Sequence, residues 1–178
     1  MSFRALSDFL VPGVSICTGK RMIILTTMVD IFDIRLLSWE TAQGDAGRIR
    51  RQVFVVEQAV PEDMEWDEWD SRSVHALAMT PVGQVVGTAR LLPADTGGRA
   101  KLGRMAVLPE WRRRGAGAAL LLALLAEARR RGVREIALHA QMSAAGFYRS
   151  HGFIAQGAQF MEAGILHVGM TLFLGVDA

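Results

Sequence analysis

The tetrapeptide Arg-Arg-Arg-Gly occurs twice, ending at Gly115 and at Gly132, at the two ends of a segment that reads as one helix. The second copy suits its place, because arginines in a last turn followed by a stopping glycine meet the negative end of the helix dipole. The first copy opposes it. Arg112, Arg113 and Arg114 crowd the positive end, an arrangement that is favourable only when a polyanion sits there. Gly115 and Gly117 expose backbone N–H groups and let a ligand approach the main chain closely, as a diphosphate requires. Residues 112 to 118, from Arg112 through Gly115, Ala116 and Gly117 to Ala118, are therefore read as a phosphate-binding loop.

The elements that must hold this loop follow from pattern. Ala116 to Ala128 is an Ala/Leu run in which Leu120, Leu121, Leu124 and Leu125 share a face, which predicts a helix. Lys101 to Val107 is a strand feeding the loop, so the unit is strand, phosphate loop, helix. Upstream, Phe32 to Leu37 reads as a strand and Glu40 to Val55 as a helix with Ser38 as its cap. Residues 62 to 70, rich in acids and tryptophan, have no period and read as an ordered loop. Val74 to Thr80 and Gln84 to Leu92 flank Pro81-Val82-Gly83 as an antiparallel hairpin. Glu135 to Ala140 is a buried strand, Ser143 to His151 a short helix capped by Ser143, and Gly157 to Glu162 and His167 to Phe173 are strands. This order gives an α/β fold with a mixed sheet, without the regular alternation of a doubly wound nucleotide fold.

A chain of 178 residues, about half of them apolar, fits one domain with a full core. Residues 31 to 178 are assigned to it. Residues 1 to 30 are read as a non-core extension, since the apolar stretch from Met22 to Val29 is shorter than the ~20 residues a membrane span needs and Asp30 interrupts it. Met22 and Met28 are alternative starts. The charge is +2, and the arginines are divided between two helix ends, which argues against a nucleic-acid face. One cysteine, Cys17, excludes an internal disulfide, and no His/carboxylate spacing suits a metal. A cytoplasmic protein without metal or membrane partner is expected, with a homodimer as an open alternative to a monomer.

Arg112-x-x-Gly115-x-Gly117, between a strand ending Met105-Ala106-Val107 and an Ala/Leu helix, resembles the acetyl-coenzyme A signature of the GNAT superfamily of N-acetyltransferases. Ala144 to Phe153, with its Phe147-Tyr148 and Gly152-Phe153 pairs, resembles the late helix and strand of the same family. Arg51 to Gln58, Asp67 and Asp70, His75, Gly87 to Leu91, Gly103 to Val107, Ala140-Gln141 and Glu162-x-x-Ile165-x-His167 look like the ElaA-type subgroup. The resemblance spans roughly residues 33 to 174 and implies a mostly antiparallel central sheet flanked by helices.

It also implies a mechanism. Backbone N–H groups of Met105, Ala106 and Val107 on a splayed strand would hold pantetheine and polarise the thioester carbonyl, with Gln141 and Phe147 beside them. The loop would hold the pyrophosphate of acetyl-coenzyme A, and an amine would attack without a covalent enzyme intermediate. Tyr148, the one tyrosine, would protonate the leaving thiolate; its plain alternative is core padding beside Phe147. For the base the candidates are Glu57, Glu65, His75, Glu162 and His167, with Glu57 preferred because the family's corresponding helix lines the acceptor side, and Glu162 and His167 next. Trp66 and Trp69 either wall an acceptor site or anchor a loop of solvated charges. His139 reads as a satisfied core histidine, and His151 as a terminator of its helix.

Two other functions compete. Arg51-x-Val53-Phe54, Glu65-x-Asp67-x-x-Asp70 and Gly87-Thr88-x-Arg90-Leu91-Leu92-Pro93 also resemble the acyl-homoserine-lactone synthases, which generally lack a clear Arg-x-x-Gly-x-Gly loop. A non-catalytic acyl-coenzyme A-binding module is the other, and Tyr148 in the donor position speaks against it.

Overall fold

The computed structural model describes residues 32–175, so the N-terminal extension expected above lies outside the described residues. The elements run β1 (Asp33–Leu37), α1 (Trp39–Arg50), a π-helical continuation (Arg51–Glu57), α2 (Glu62–Glu65), β2 (Val74–Met79), β3 (Val85–Leu91), β4 (Arg99–Val107), α3 (Ala116–Arg130), β5 (Glu135–Gln141), α4 (Ala145–Ser150), β6 (Ile154–Glu162) and β7 (Ile165–Phe173). One seven-stranded sheet has the order β1-β2-β3-β4-β5-β7-β6. All neighbours are antiparallel except β4 and β5.

Helices cover both faces of the first half of this sheet. Leu120, Leu121, Leu124, Leu125 and Ala128 turn the apolar face of α3 onto Ala76, Ala78, Val86, Leu91 and Leu102. On the other face Ala42, Ala46, Ile49 and Val53 pack on Leu77, Val85 and Ala106. β3, caught between them, is buried along its whole length. A Cβ on its Gly87 would lie 3.1 Å from Ala106 O and 3.1 Å from Leu120 Cδ1, so glycine sets how closely α3 rides on the sheet.

Two irregularities open the sheet at its centre. β4 and β5 pair only at Arg99↔Glu135, Ala100↔Ile136 and Lys101↔Ala137, after which they part. On its other edge β4 bulges: Thr88 faces Ala106 and Arg90 faces Gly103, so Arg104 and Met105 together oppose the single residue Ala89. Arg104 takes the left-handed backbone this needs, with φ 52°. The bulge bends β4 away from β5 and leaves Leu102 to Val107 without a strand partner on that side among the described residues.

Three details differ from the sequence reading. Neither Ser38 nor Ser143 caps a helix through its side chain; the Ser38 carbonyl accepts the N–H groups of Thr41 and Ala42, and α4 begins one residue later than a Ser143 cap would require, behind Ala144. The helix expected to end at Val55 widens after Arg50 into π-helix, closed by Gln58 N–H to Val53 O at 3.2 Å. The acidic segment is not a plain loop, for it holds the turn α2 and a 3₁₀ turn at Asp70–Arg72.

Candidate active site

Where β4 and β5 part, a cleft of about 660 Å³ opens on the α1 side of the sheet, lined among others by Phe54, Gln58, Met105, Gln141, Tyr148 and His167. On the α3 side the same parting meets the loop. α3 has no side-chain cap and no acid in its first turn, and its N-cap Gly115 has φ 92°. Its first helical bond joins Ala119 N–H to Gly115 O at 2.9 Å, so the N–H groups of Ala116, Gly117 and Ala118 have no helical partner. A Cβ on Gly117 would meet Phe147 Cζ at 3.8 Å and Val107 Cγ2 at 4.0 Å, ordinary contacts. Packing within the chain therefore does not require glycine there. Backbone N–H groups left free at a helix start are what a diphosphate would use.

The arginines of the loop divide. Arg113, with φ 58°, shapes the turn, and the Arg114 guanidinium lies 5.1 Å from the Trp111 ring. Arg112 is tied down: it donates from Nη1 and Nη2 to Glu57 at 2.6 and 2.5 Å, and from Nε to Val107 O at 2.9 Å. This bidentate bond outweighs partial burial and, with a smaller push from the Arg112 charge, holds the Glu57 carboxyl below its ordinary pKa. Glu57 is thus a brace between the π-helix and the loop. A carboxylate held in that way accepts a proton less readily than a free one.

Tyr148 is buried and lies beside the parted strand. Its hydroxyl donates to Met105 Sδ at 3.5 Å, and its ring meets Phe147 and Phe153 edge-on. Burial pushes its pKa up to about 12, which keeps the phenol protonated. Gln141, at the end of β5, donates to the Gln58 side chain at 2.8 Å and bridges the mouth of the cleft.

The histidines fall out differently from expectation. His139 is not in the core: it is exposed on the cleft face, where Nδ1 donates to Glu162 Oε2 at 2.9 Å. His167 pairs with Gln141 across β5 and β7 and so shares that face. Its Nδ1–H donates to Ile165 O at 2.8 Å, which fixes the tautomer and leaves Nε2 as an acceptor. His75 is buried away from the cleft, donating from Nε2 to Asp70 O at 2.9 Å. Burial holds its pKa below the ordinary value despite Asp70. His151 caps α4 as expected, with Nδ1–H donating to Phe147 O at 2.8 Å.

Sequence reasoning missed the wall of the cleft. Arg50, fully buried between the Trp39 and Trp66 rings, donates to Glu65 Oε1 at 2.5 Å, Glu65 O at 2.7 Å and Asp70 Oδ1 at 2.8 Å. Arg90 donates to Asp70 Oδ1 at 2.6 Å and to both oxygens of Asp67 at 2.6 and 2.8 Å. Arg104 reaches Asp67 Oδ2 at 3.2 Å. The acidic segment is therefore held by three arginines whose charges its carboxylates neutralise. Burial pushes Glu65 upward against Arg104 and Arg50, whereas at Asp67 burial is outweighed by the Arg90 hydrogen bonds together with the charges of Arg90 and Arg104, and the pKa is lowered. Arg50, Arg90 and Arg104 standing among matched acids in the sequence were the available signal, though nothing local showed their pairing.

Comparison with known proteins agrees with this geometry. A family profile described as an acetyltransferase (GNAT) domain matches residues 38–174. The chain is 37% identical over 141 residues to YyaT of Bacillus subtilis, covering 78% of this chain and 94% of that one. An acyl-CoA N-acyltransferase from Pseudomonas aeruginosa superposes with a TM-score of 0.70 at 28% identity, covering 79% of this chain and 98% of the other. ElaA of Escherichia coli gives 0.70 at 26%, covering 79% and 99%. The CoA-dependent acyl-homoserine lactone synthase BjaI, with a TM-score of 0.66 at 17% identity over 82% of this chain and 86% of its own, shares the fold.

Proposed function

Because the chain belongs to the GNAT family of acyl-CoA N-acyltransferases, we propose that it transfers an acetyl group from acetyl-coenzyme A directly to an amine of a small molecule or peptide. The observation that carries this reading is convergence: Tyr148 touches Met105 on the parted strand, and Phe147 borders Gly117 at the open start of α3. Phosphate loop, freed strand and phenol thus meet at one place.

In this reading the cosubstrate supplies the acyl group as an activated thioester. The N–H groups of Ala116, Gly117 and Ala118 hold its pyrophosphate, with Arg113 and Arg114 adding charge. Met105, Ala106 and Val107 hold the pantetheine and polarise the carbonyl oxygen through their backbone. Arg112 and Glu57 keep the loop in register with the acceptor side. His167 receives the amine proton at Nε2, directly or through one water, and Tyr148 gives its proton to the departing sulfur. Gln141 and Gln58 close the passage between the two sides.

A second reading, an acyl-homoserine-lactone synthase, draws on the cluster of Arg50, Asp67, Asp70 and Arg90 and on the shared fold. The open glycine loop favours coenzyme A as donor, which BjaI also uses, so the acceptor decides between the two readings. Release of free coenzyme A thiol from acetyl-coenzyme A, measured across polyamines, aminoglycosides, amino acids and peptides, tests the proposal. Thiol release that depends on one acceptor and yields its acetamide supports it; release only with S-adenosylmethionine as acceptor supports the second reading.

A further inference from the structure

Subtracting paired charges from the cleft leaves a simple remainder. Arg90 and Arg104 are matched by Asp67, Asp70 and Glu65, and Arg99 bonds Glu135 at 2.7 Å. Asp95 spends its Oδ1 on the N–H of Arg99 in its own turn at 2.9 Å. Three cleft-wall charges then have no arginine or lysine to carboxylate ion pair among the described residues: Asp95 in the turn before β4, Glu162, and Lys101, the one cation of the three. Lys101 is exposed on β4, its side chain makes no ion pair or hydrogen bond among the described residues, and it lines the cleft where β4 and β5 begin to part. Glu162, on β6, accepts the hydrogen bond of His139 and meets no arginine or lysine among the described residues.

Their spacing is set by the sheet. Lys101 pairs with Ala137, and His139 lies two residues further along β5, about 6–7 Å closer to the reacting end than the Lys101 backbone, where it holds the carboxylate that Glu162 extends from its place opposite Ile165. Gln141 and His167 lie a further step toward that end. An ammonium entering the cleft is drawn to the Glu162 side, next to the proton acceptor His167. An anionic group on the same molecule is drawn to Lys101. Gly103, between Lys101 and the bulge, leaves the intervening wall bare, since a Cβ there would have nothing within 4 Å.

From this placement we infer that the acceptor is a zwitterion, an amine carrying a carboxylate a short chain away, with Lys101 as the residue that reads the carboxylate and Glu162, held by His139, as the one that draws in the ammonium. The inference rests on the amine-acetyltransferase reading above and narrows its substrate class. A polyamine or aminoglycoside would place a second cation against Lys101 and is disfavoured by the same arrangement. The transfer itself is balanced in the usual way: the new C–N bond replaces the C–S bond, one amine proton leaves, and the thiol gains one.

The test pairs ω-amino acids of increasing length with alkylamines of equal length, with rates compared per free amine because a nearby carboxylate shifts the amine's ionisation in the shorter members. Wild-type protein is expected to favour the amino acid by at least about tenfold in kcat/KM, and Lys101→Met to bring that ratio to about one. Glu162→Gln is expected to raise KM for both members of a pair. A wild-type ratio of one or below, or a preference that survives Lys101→Met, overturns the inference. Calorimetric titration of the ω-amino acid into coenzyme A-loaded protein separates the two levels. Binding that requires Lys101 without acetylation of any amine keeps the acceptor assignment and removes the transferase reading; neither binding nor turnover removes the assignment itself.

Discussion

Replacing Arg50 by Met tests whether the acidic segment is held by buried arginines rather than by solvated surface charge. Arg50 is 0% exposed and its ion-pair partners Glu65 and Asp70 have side chains only 3% and 5% exposed. Removing one partner of such a cluster costs about 3–5 kcal/mol, because the remaining charges stay buried. Here the low end applies. Asp70 keeps Arg90 at 2.6 Å, Glu65 keeps Arg104 at 3.5 Å, and the raised pKa of Glu65 lets it take up a proton. Methionine also preserves part of the packing between Trp39 and Trp66. A loss of about 3 kcal/mol is a large share of the roughly 5–15 kcal/mol that holds a domain folded. For a domain of this size it corresponds to a fall in Tm of about 6–12 °C. Since Asp67 and Trp69 line the cleft, KM for the acceptor should rise while coenzyme A affinity changes little. Thermal melts beside steady-state rates would check this. A fall in Tm under about 2 °C, with KM unchanged, would refute the structural role assigned to the cluster.

Tyr148→Phe should keep coenzyme A binding and Tm, because only a weak O–H···S contact is lost, yet lower turnover roughly 10- to 1000-fold. With the phenol pKa near 12, the wild-type rate should show no alkaline fall caused by Tyr148 below about pH 11, as a pH–rate profile would reveal. His75, whose folded pKa lies below its ordinary 6.5, contributes stability that is present above that value and drains away as pH falls toward the folded pKa. Melts of His75→Gln between pH 7 and 5 should therefore show a shallower acid loss than wild type; an unchanged slope would mean that His75 is not a buried neutral ring. Glu57→Gln should loosen the loop by breaking the bidentate tie to Arg112 and weaken coenzyme A binding about 3- to 10-fold, while the acid limb of the rate profile stays where it was. A shifted acid limb would assign Glu57 as the base.

Much of the scaffold was legible because its signals are local. The Ala/Leu run fixes α3, the Pro81-Val82-Gly83 turn fixes the β2–β3 hairpin, and the glycines before and inside α3 fix where the loop lies. The rest depends on partners distant in the chain. α2 and the 3₁₀ turn have no period because Arg50, Arg90 and Arg104, up to 37 residues from Asp67, hold them instead of an apolar face. The bulge at Arg104 is invisible in a strand-like run, since only the register with β3 creates it. His139 was misplaced by the assumption that a strand between apolar neighbours is covered on both faces. Helices cover both faces of β3, but the cleft opens over one face of β5.

Coenzyme A binding in this protein rests most directly on what lies against the start of α3. Calorimetric titration of coenzyme A into wild type, Gly117→Ala and Gly117→Asp measures this without any knowledge of the acceptor. The alanine Cβ meets only ordinary contacts within the chain, so both variants should fold, as circular dichroism would confirm. The account predicts binding by wild type, weaker binding by the alanine variant that crowds the approach, and a loss of at least about 100-fold, or about 2.7 kcal/mol, in the aspartate variant, whose carboxylate would face the diphosphate. Equal affinity in a folded Gly117→Asp protein would contradict it.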